Sequence, residues 1–210
     1  MSAEAGSMPD RSGHIARGLK LEYATVAYNS LEGLIAIAAG LYAGSISLVG
    51  FGADSIIEVT SAAAMIWRLQ SDVEHKRERS ERVALRIVGV CFCLLAIYVA
   101  LDALKTLVHF EEPRASIPGI ALAVTSLIVM PLLSRAKCRV AGSIGSAALK
   151  ADARQTELCT YLSAILLGGL LMNALFGWWW ADPIAALIMV PIIAREGISG
   201  LRGKTACACH

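Results

Sequence analysis

Residues 46–67 read ISLVGFGADSIIEVTSAAAMIW, an apolar stretch without a basic residue that is interrupted by two acids, Asp54 and Glu58. A run of about 20 predominantly apolar residues is long enough to cross a ~30 Å hydrocarbon core as a helix. Lipid offers the backbone no water to bond, so each N–H and C=O must be satisfied within the segment, and a barrel strand would be half as long. The stretch therefore predicts a transmembrane helix that carries two carboxyl groups near the middle of the bilayer.

Five further stretches of the same kind flank it, so the spans fall at 21–41, 46–67, 84–108, 115–134, 145–171 and 181–201. The chain of 210 residues is 56% hydrophobic and 17% charged, with a mean hydropathy of +0.61. Soluble domains carry roughly a quarter charged residues. Here the charges bunch between the apolar stretches, which excludes an ordinary soluble enzyme and a disordered chain. A net charge of +2 leaves no basic stripe for nucleic acid. The expected fold is an all-α membrane protein of six transmembrane helices. Residues 1–20 lack the apolar core of a signal peptide and read as a polar cytosolic tail, 21–201 as the transmembrane domain, and 202–210 as a short cytosolic Cys/His tail.

Lys and Arg set the expected orientation, because cytoplasmic loops hold the excess. The N-terminal tail has three, Arg68 to Arg86 six, Arg135 to Arg154 five and the C-terminal end three, so 17 of 19 fall on one side. Lys105 and Arg114 are left for the other face, beside Glu111 and Glu112. Both termini are thus expected in the cytosol of a multi-pass cell-membrane protein. Trp178, Trp179 and Trp180 mark the outer interface, where indole rings settle at headgroup level. The run SDVEHKRERSER (residues 71–82) reads as a solvated helical extension, with Asp72/Lys76 and Glu78/Arg82 at favourable i,i+4 spacing.

A charge at bilayer depth costs at least ~2.5 kcal/mol, so each one asks for a reason. Asp54 and Glu58, four apart on a helix, lie ~40° apart around the axis and ~6 Å apart along it, on one face. Such a pair suits an ion or proton path; the plainer alternative is a carboxylate pair neutralised by a nearby Lys or solvated in a vestibule. On the fifth span Gln155 and Cys159 repeat the spacing, with Asp152, Arg154 and Glu157 at its cytosolic half. The second and fifth spans run in opposite directions, which sets Glu58 level with Gln155 and Asp54 level with Cys159. Four heads at two adjacent depths are enough for a four-coordinate metal site. Separately, Gln155 also fits an interhelical hydrogen bond and Cys159 a small packing residue.

Elsewhere, Glu32 on the first span is polar at depth with Asn29, and fits a vestibule wall, a proton relay or a bond to a neighbouring helix. Cys207, Cys209 and His210 put three soft ligands in the tail, where they fit either metal binding or an unstructured end. Cys91 and Cys93, at i,i+2, point to different sides of a helix and read as packing. Asp102 and Lys105 can pair at i,i+3. Gly50 with Gly52, Gly142 with Gly145 and Gly168 with Gly169 permit close helix approach, in the bundle or at a dimer seam.

Three stretches carry a resemblance: AYNSLEGLIAIAAGLYAGSISLVGFGADSIIEV at 27–59, ALKADARQTELC at 148–159 and WADPIAAL at 180–187. Together they resemble the transmembrane domain of the cation diffusion facilitator (cation efflux) family, over nearly all of 21–200. The resemblance implies six helices with both ends cytosolic, a homodimer, and exchange of Zn²⁺ or a related divalent metal for protons. No nucleophile and base pair and no phosphate-cradling loop stands out in the sequence, so neither enzymatic activity nor a permanently bound cofactor is expected. In that family an Asp/His-x-x-x-Asp pair on the second helix and a His/Asp-x-x-x-Asp pair on the fifth form the transport site. Asp54, Glu58, Gln155 and Cys159 correspond by position.

Gln155 and Cys159 replace an imidazole or carboxylate and a carboxylate with an amide oxygen and a potential thiolate. Sulfur suits Zn²⁺ and softer ions such as Cd²⁺ or Cu⁺, and not the hard oxygen cage of Mg²⁺. Family members usually continue into a cytosolic metal-binding domain, whereas this sequence stops about ten residues after the last span, so whatever dimerisation or metal sensing that domain supplies is expected to come from the membrane part or to be missing. Two rivals stand beside an exporter: a membrane metal binder or thiol carrier built on Cys159 and the tail, and a transport-inactive regulatory subunit.

Overall fold

The computed structural model describes residues 8–70, 74–109, 114 and 116–202. Six helices follow one another: α1 (Met8–Ala43), α2 (Ile46–Gln70), α3 (Glu74–His109), α4 (Ile117–Ile144), α5 (Ala147–Phe176) and α6 (Ala181–Leu201). Each contains a stretch long and apolar enough to cross a membrane. Several helices outrun the apolar stretches that announce them. The first begins at Met8 rather than at 21, and the third at Glu74, because a helix continues into water wherever no breaker stops it. The side chains of 74–85 and the whole of 203–210 lie outside the described residues, and with them the ion pairs expected at 72–82 and the ligands expected at Cys207, Cys209 and His210.

Glycine and serine place the turns. Gly44, Gly145 and Gly177 adopt φ of 69°, 65° and 65°, the left-handed conformation that ends a helix at no steric cost to glycine. Ser116 and Ser146 accept hydrogen bonds from the N–H of Gly119 (3.1 Å) and Leu149 (3.3 Å), capping α4 and α5. Connections this short force antiparallel neighbours, so α1 packs on α2 and α4 on α5, while α3 lies chiefly against α6. Phe51, Leu48, Val99, Met130, Leu166 and Met189 fill the main core, and a smaller cluster of Met65, Leu69, Val140, Ala141 and Leu149 closes one end. Leu34, Leu41, Leu101, Val108 and Leu175 point outward, as suits lipid-facing positions.

Close crossings depend on some of the expected glycines and on others besides. A Cβ on Gly52 would lie 3.0 Å from the backbone nitrogen of Ile37, and one on Gly33 would lie 3.1 Å from the Gly52 carbonyl, so α1 and α2 touch backbone to backbone. Gly169 meets Ala185, and Gly89 and Gly197 bring α3 against α6, with Cys93 packed on Gly197. Gly50 lies against Val99, whereas Gly142 and Gly168 face open space and Gly145 caps a helix. Gly52→Ala should therefore lower thermal stability in detergent by about 1–3 kcal/mol through overpacking. Gly142→Ala should be neutral or gain up to ~1 kcal/mol of helix propensity. Equal melting temperatures for the two variants would contradict this packing.

Candidate metal site

The first helix turns a polar stripe inward. Glu22, Thr25, Asn29 and Glu32 recur at three- and four-residue steps, and all four are buried, because those steps return to one helix face. Tyr28 and Ser55 each donate a 3.0 Å hydrogen bond to Glu32, which ties α1 to α2. Both side-chain polar atoms of Asn29 lack a hydrogen-bond partner.

Asp54 and Glu58 project from α2 into the same interior, at 5% and 1% exposure. Across from them Cys159 of α5 is a buried free thiol that lies in electrostatic range of Asp54, Glu58 and Glu32. Neither carboxylate oxygen of Glu58 has a hydrogen-bond partner at normal distance, although Thr156 and Cys159 flank it. Gln155 is half-buried, and its Nε2 is a further buried atom without a partner. Asp54, Glu58 and Cys159 thus share one interior. They do not form a closed cage: among the described residues, no three His, Cys, Asp or Glu side chains group closely enough to hold a metal ion.

One cation of this interior lies beyond the expected fourth span, which ends at 134. Lys137, counted with the basic residues of the expected cytosolic side, sits within α4, which continues to Ile144 and buries it completely. Its ammonium lies 2.5 Å from Asp152 Oδ2, 3.1 Å from Glu22 Oε2 and 3.3 Å from Thr156 Oγ1. Ser61 of α2 donates to the other Asp152 oxygen at 3.0 Å. Four helices, α1, α2, α4 and α5, therefore meet at one cation. A loop and a helix extension look alike in sequence when both are polar, but Glu22, Thr25, Asn29 and Glu32 carried the periodicity that a buried partner on another helix requires. Arg154 and Glu157 instead pair with each other at 2.5 Å, each about one third exposed.

At the opposite end Asp182 is fully buried at the start of α6. It accepts hydrogen bonds from Ser45 Oγ (2.6 Å), Ser47 Oγ and the Ile46 N–H (3.0 Å). A carboxylate on the first free N–H groups of α2 satisfies donors that have no intrahelical partner and opposes the positive end of the helix dipole. Trp178 and Trp180 stack at 5.0 Å between ring centroids in the connection just before it.

Comparison with known proteins now bears on this arrangement. Residues 23–203 match the cation efflux transmembrane domain. The chain belongs to the cation efflux family. It is 27% identical over 174 residues to an uncharacterized transporter of Methanocaldococcus jannaschii, covering 80% of this chain and 61% of that protein. A second uncharacterized transporter, from Synechocystis, is 24% identical over 174 residues, covering 79% and 56%. A cadmium, cobalt and zinc/H⁺-K⁺ antiporter of Bacillus velezensis is 30% identical over 124 residues, covering 57% and 38%. The chain therefore spans about three fifths of the length of the first two relatives. The match is to a transporter family rather than to an enzyme family, and with six apolar helices it makes this a multi-pass integral membrane domain.

The buried ion pairs set a stability expectation. Lys137→Met should cost about 3–5 kcal/mol, because it strands the Glu22 and Asp152 carboxylates in the interior. Adding Glu22→Gln and Asp152→Asn should recover most of that loss, since a neutral hydrogen-bonded network avoids unpaired charge. Thermal unfolding of the three proteins in one detergent checks this; a Lys137→Met protein as stable as wild type would mean the ammonium is not the pin of these helices.

Proposed function

We propose that this domain carries a divalent metal cation across the membrane, with Asp54, Glu58, Gln155 and Cys159 as its ligands. The observation that carries the reading is Glu58: a carboxyl group 1% exposed in a membrane domain, with both oxygens unpartnered, beside Asp54 and Cys159. Unpaired polar groups in a low-dielectric interior are costly, and a bound cation relieves several at once. The four heads lie on α2 and α5; closing them into a cage needs those two helices to draw together around the ion. A rocking motion that does so also changes which side the site faces, as alternating access requires.

Protons are the proposed counter-ion. The ligand set binds metal only when its carboxyl and thiol groups are deprotonated, so metal affinity falls as pH falls, and an acidic outer side favours release. Glu32, bonded to Tyr28 and Ser55 next to the pair, is the proposed proton relay. The donor set of two carboxylates, an amide oxygen and a thiolate suits Zn²⁺ or the softer Cd²⁺, and the name of the Bacillus velezensis relative includes both metals. The proposal extends to efflux from a cytosol that holds both termini, and to a homodimer.

Proteoliposomes with a pH gradient test the assignment. Asp54→Ala and Glu58→Gln should each abolish cadmium and zinc flux while the protein still inserts; normal flux in either variant removes that residue from the site. Cys159→Asp should shift preference from cadmium toward zinc, because it exchanges a soft donor for a hard one. An unchanged ratio would make Cys159 a packing residue.

A further inference from the structure

Between the N-terminal part of α1 and the C-terminal part of α4 lies a cleft of about 420 Å³. His14, Arg17 and Lys20 line it from α1, and Arg139 from α4, over a floor that includes Leu21 and Val140. Arg17, Lys20 and Arg139 are exposed, whereas Val140 is buried in the smaller apolar cluster. Among the described residues, no acidic side chain lines this cleft. The nearest acid along α1, Glu22, is turned inward to Lys137 at 3.1 Å and does not offset the basic rim.

The place of the cleft in the bundle bears on its ligand. Leu21 and Ala136, which line it, adjoin Glu22 and Lys137 in sequence, so the cleft begins where the buried network ends, at the terminus of two membrane-spanning helices. Converging cations above an apolar floor match a phosphate joined to acyl chains, and basic pockets between transmembrane helices at the membrane surface bind anionic headgroups. α1 packs on this end of the bundle at Gly18, where a Cβ would stand at ordinary van der Waals distance, 3.5 Å, from Val140 and Leu69. We propose that this cleft binds the headgroup of an anionic phospholipid, which braces α1 against α4 beside the Lys137–Glu22 pair. The proposal rests on the membrane domain alone and is independent of which ion is carried.

The test uses the full chain, metal-free, in a neutral maltoside detergent. Dioleoylphosphatidylglycerol should raise the melting temperature by roughly 5 °C over the same amount of dioleoylphosphatidylcholine, the scale expected for a ligand well above its dissociation constant. The triple variant Arg17→Gln, Lys20→Gln, Arg139→Gln should lose that shift, and Arg114→Gln, at the other end of the bundle, should keep it. Millimolar inorganic phosphate should give no shift. A phosphatidylglycerol shift that persists in the triple variant overturns the site, and an equal shift with inorganic phosphate overturns the lipid as its ligand. Should the triple variant not fold, Arg139→Glu alone carries the same comparison.

Discussion

The ammonium group of Lys137 is the point from which the interior is organised. It is withdrawn from solvent, and it is held by carboxylates from α1 and α5 while α2 reaches the same carboxylate through Ser61. Burying one charge is prohibitive, and burying an ion pair is tolerable only with good geometry and further hydrogen bonds. That condition fixes how α1, α4 and α5 are rotated, because a small rotation of any of them would strand a charge, and a rotation of α2 would lose the Ser61 hydrogen bond. The inward faces of α1 and α2 then bring Glu32, Asp54 and Glu58 to the adjacent level.

The contrast between the two levels is informative. Around Lys137 the ammonium and both Asp152 oxygens have partners, and Glu22 keeps one oxygen without; nearby, neither Glu58 oxygen nor either side-chain polar atom of Asn29 has one, and Gln155 has a buried Nε2 without one. Satisfied networks rigidify, and unsatisfied ones cost free energy unless something arrives to pair with them. The proposed cation transport calls for this combination of a pinned frame and, beside it, polar groups that a bound ion would pair.

Asp182 complements this at the far end. Its hydrogen bonds to Ser45, Ser47 and the start of α2 lock the first turn of the helix that carries Asp54 and Glu58 to the first turn of α6. Gly52, packed against α1 backbone one turn before Ser55, brings the two polar faces of α1 and α2 together. Asp54 and Glu58 are therefore mounted on a helix held at its start by Asp182, along its middle at Gly52 and one turn after Glu58 by Ser61.

Much of this was legible in the residues. Six apolar runs named six helices because lipid leaves the backbone no alternative, and Asp54 and Glu58 declared themselves because a charge at that depth is too costly to be incidental. The i,i+4 spacing put Asp54 and Glu58 on one helix face, and both are buried. Lys137 was hidden because a polar stretch after an apolar run reads as loop whether it leaves the bilayer or continues inward to a partner. Gly89 and Gly197 were hidden because a glycine's use depends on which helix crosses it. Periodicity and length are local properties, so the sequence alone determined the helices and their polar faces. Which cation neutralises which carboxylate, and which carboxyl group is left without a partner, are relations between helices distant in the chain, and only their packing decided them.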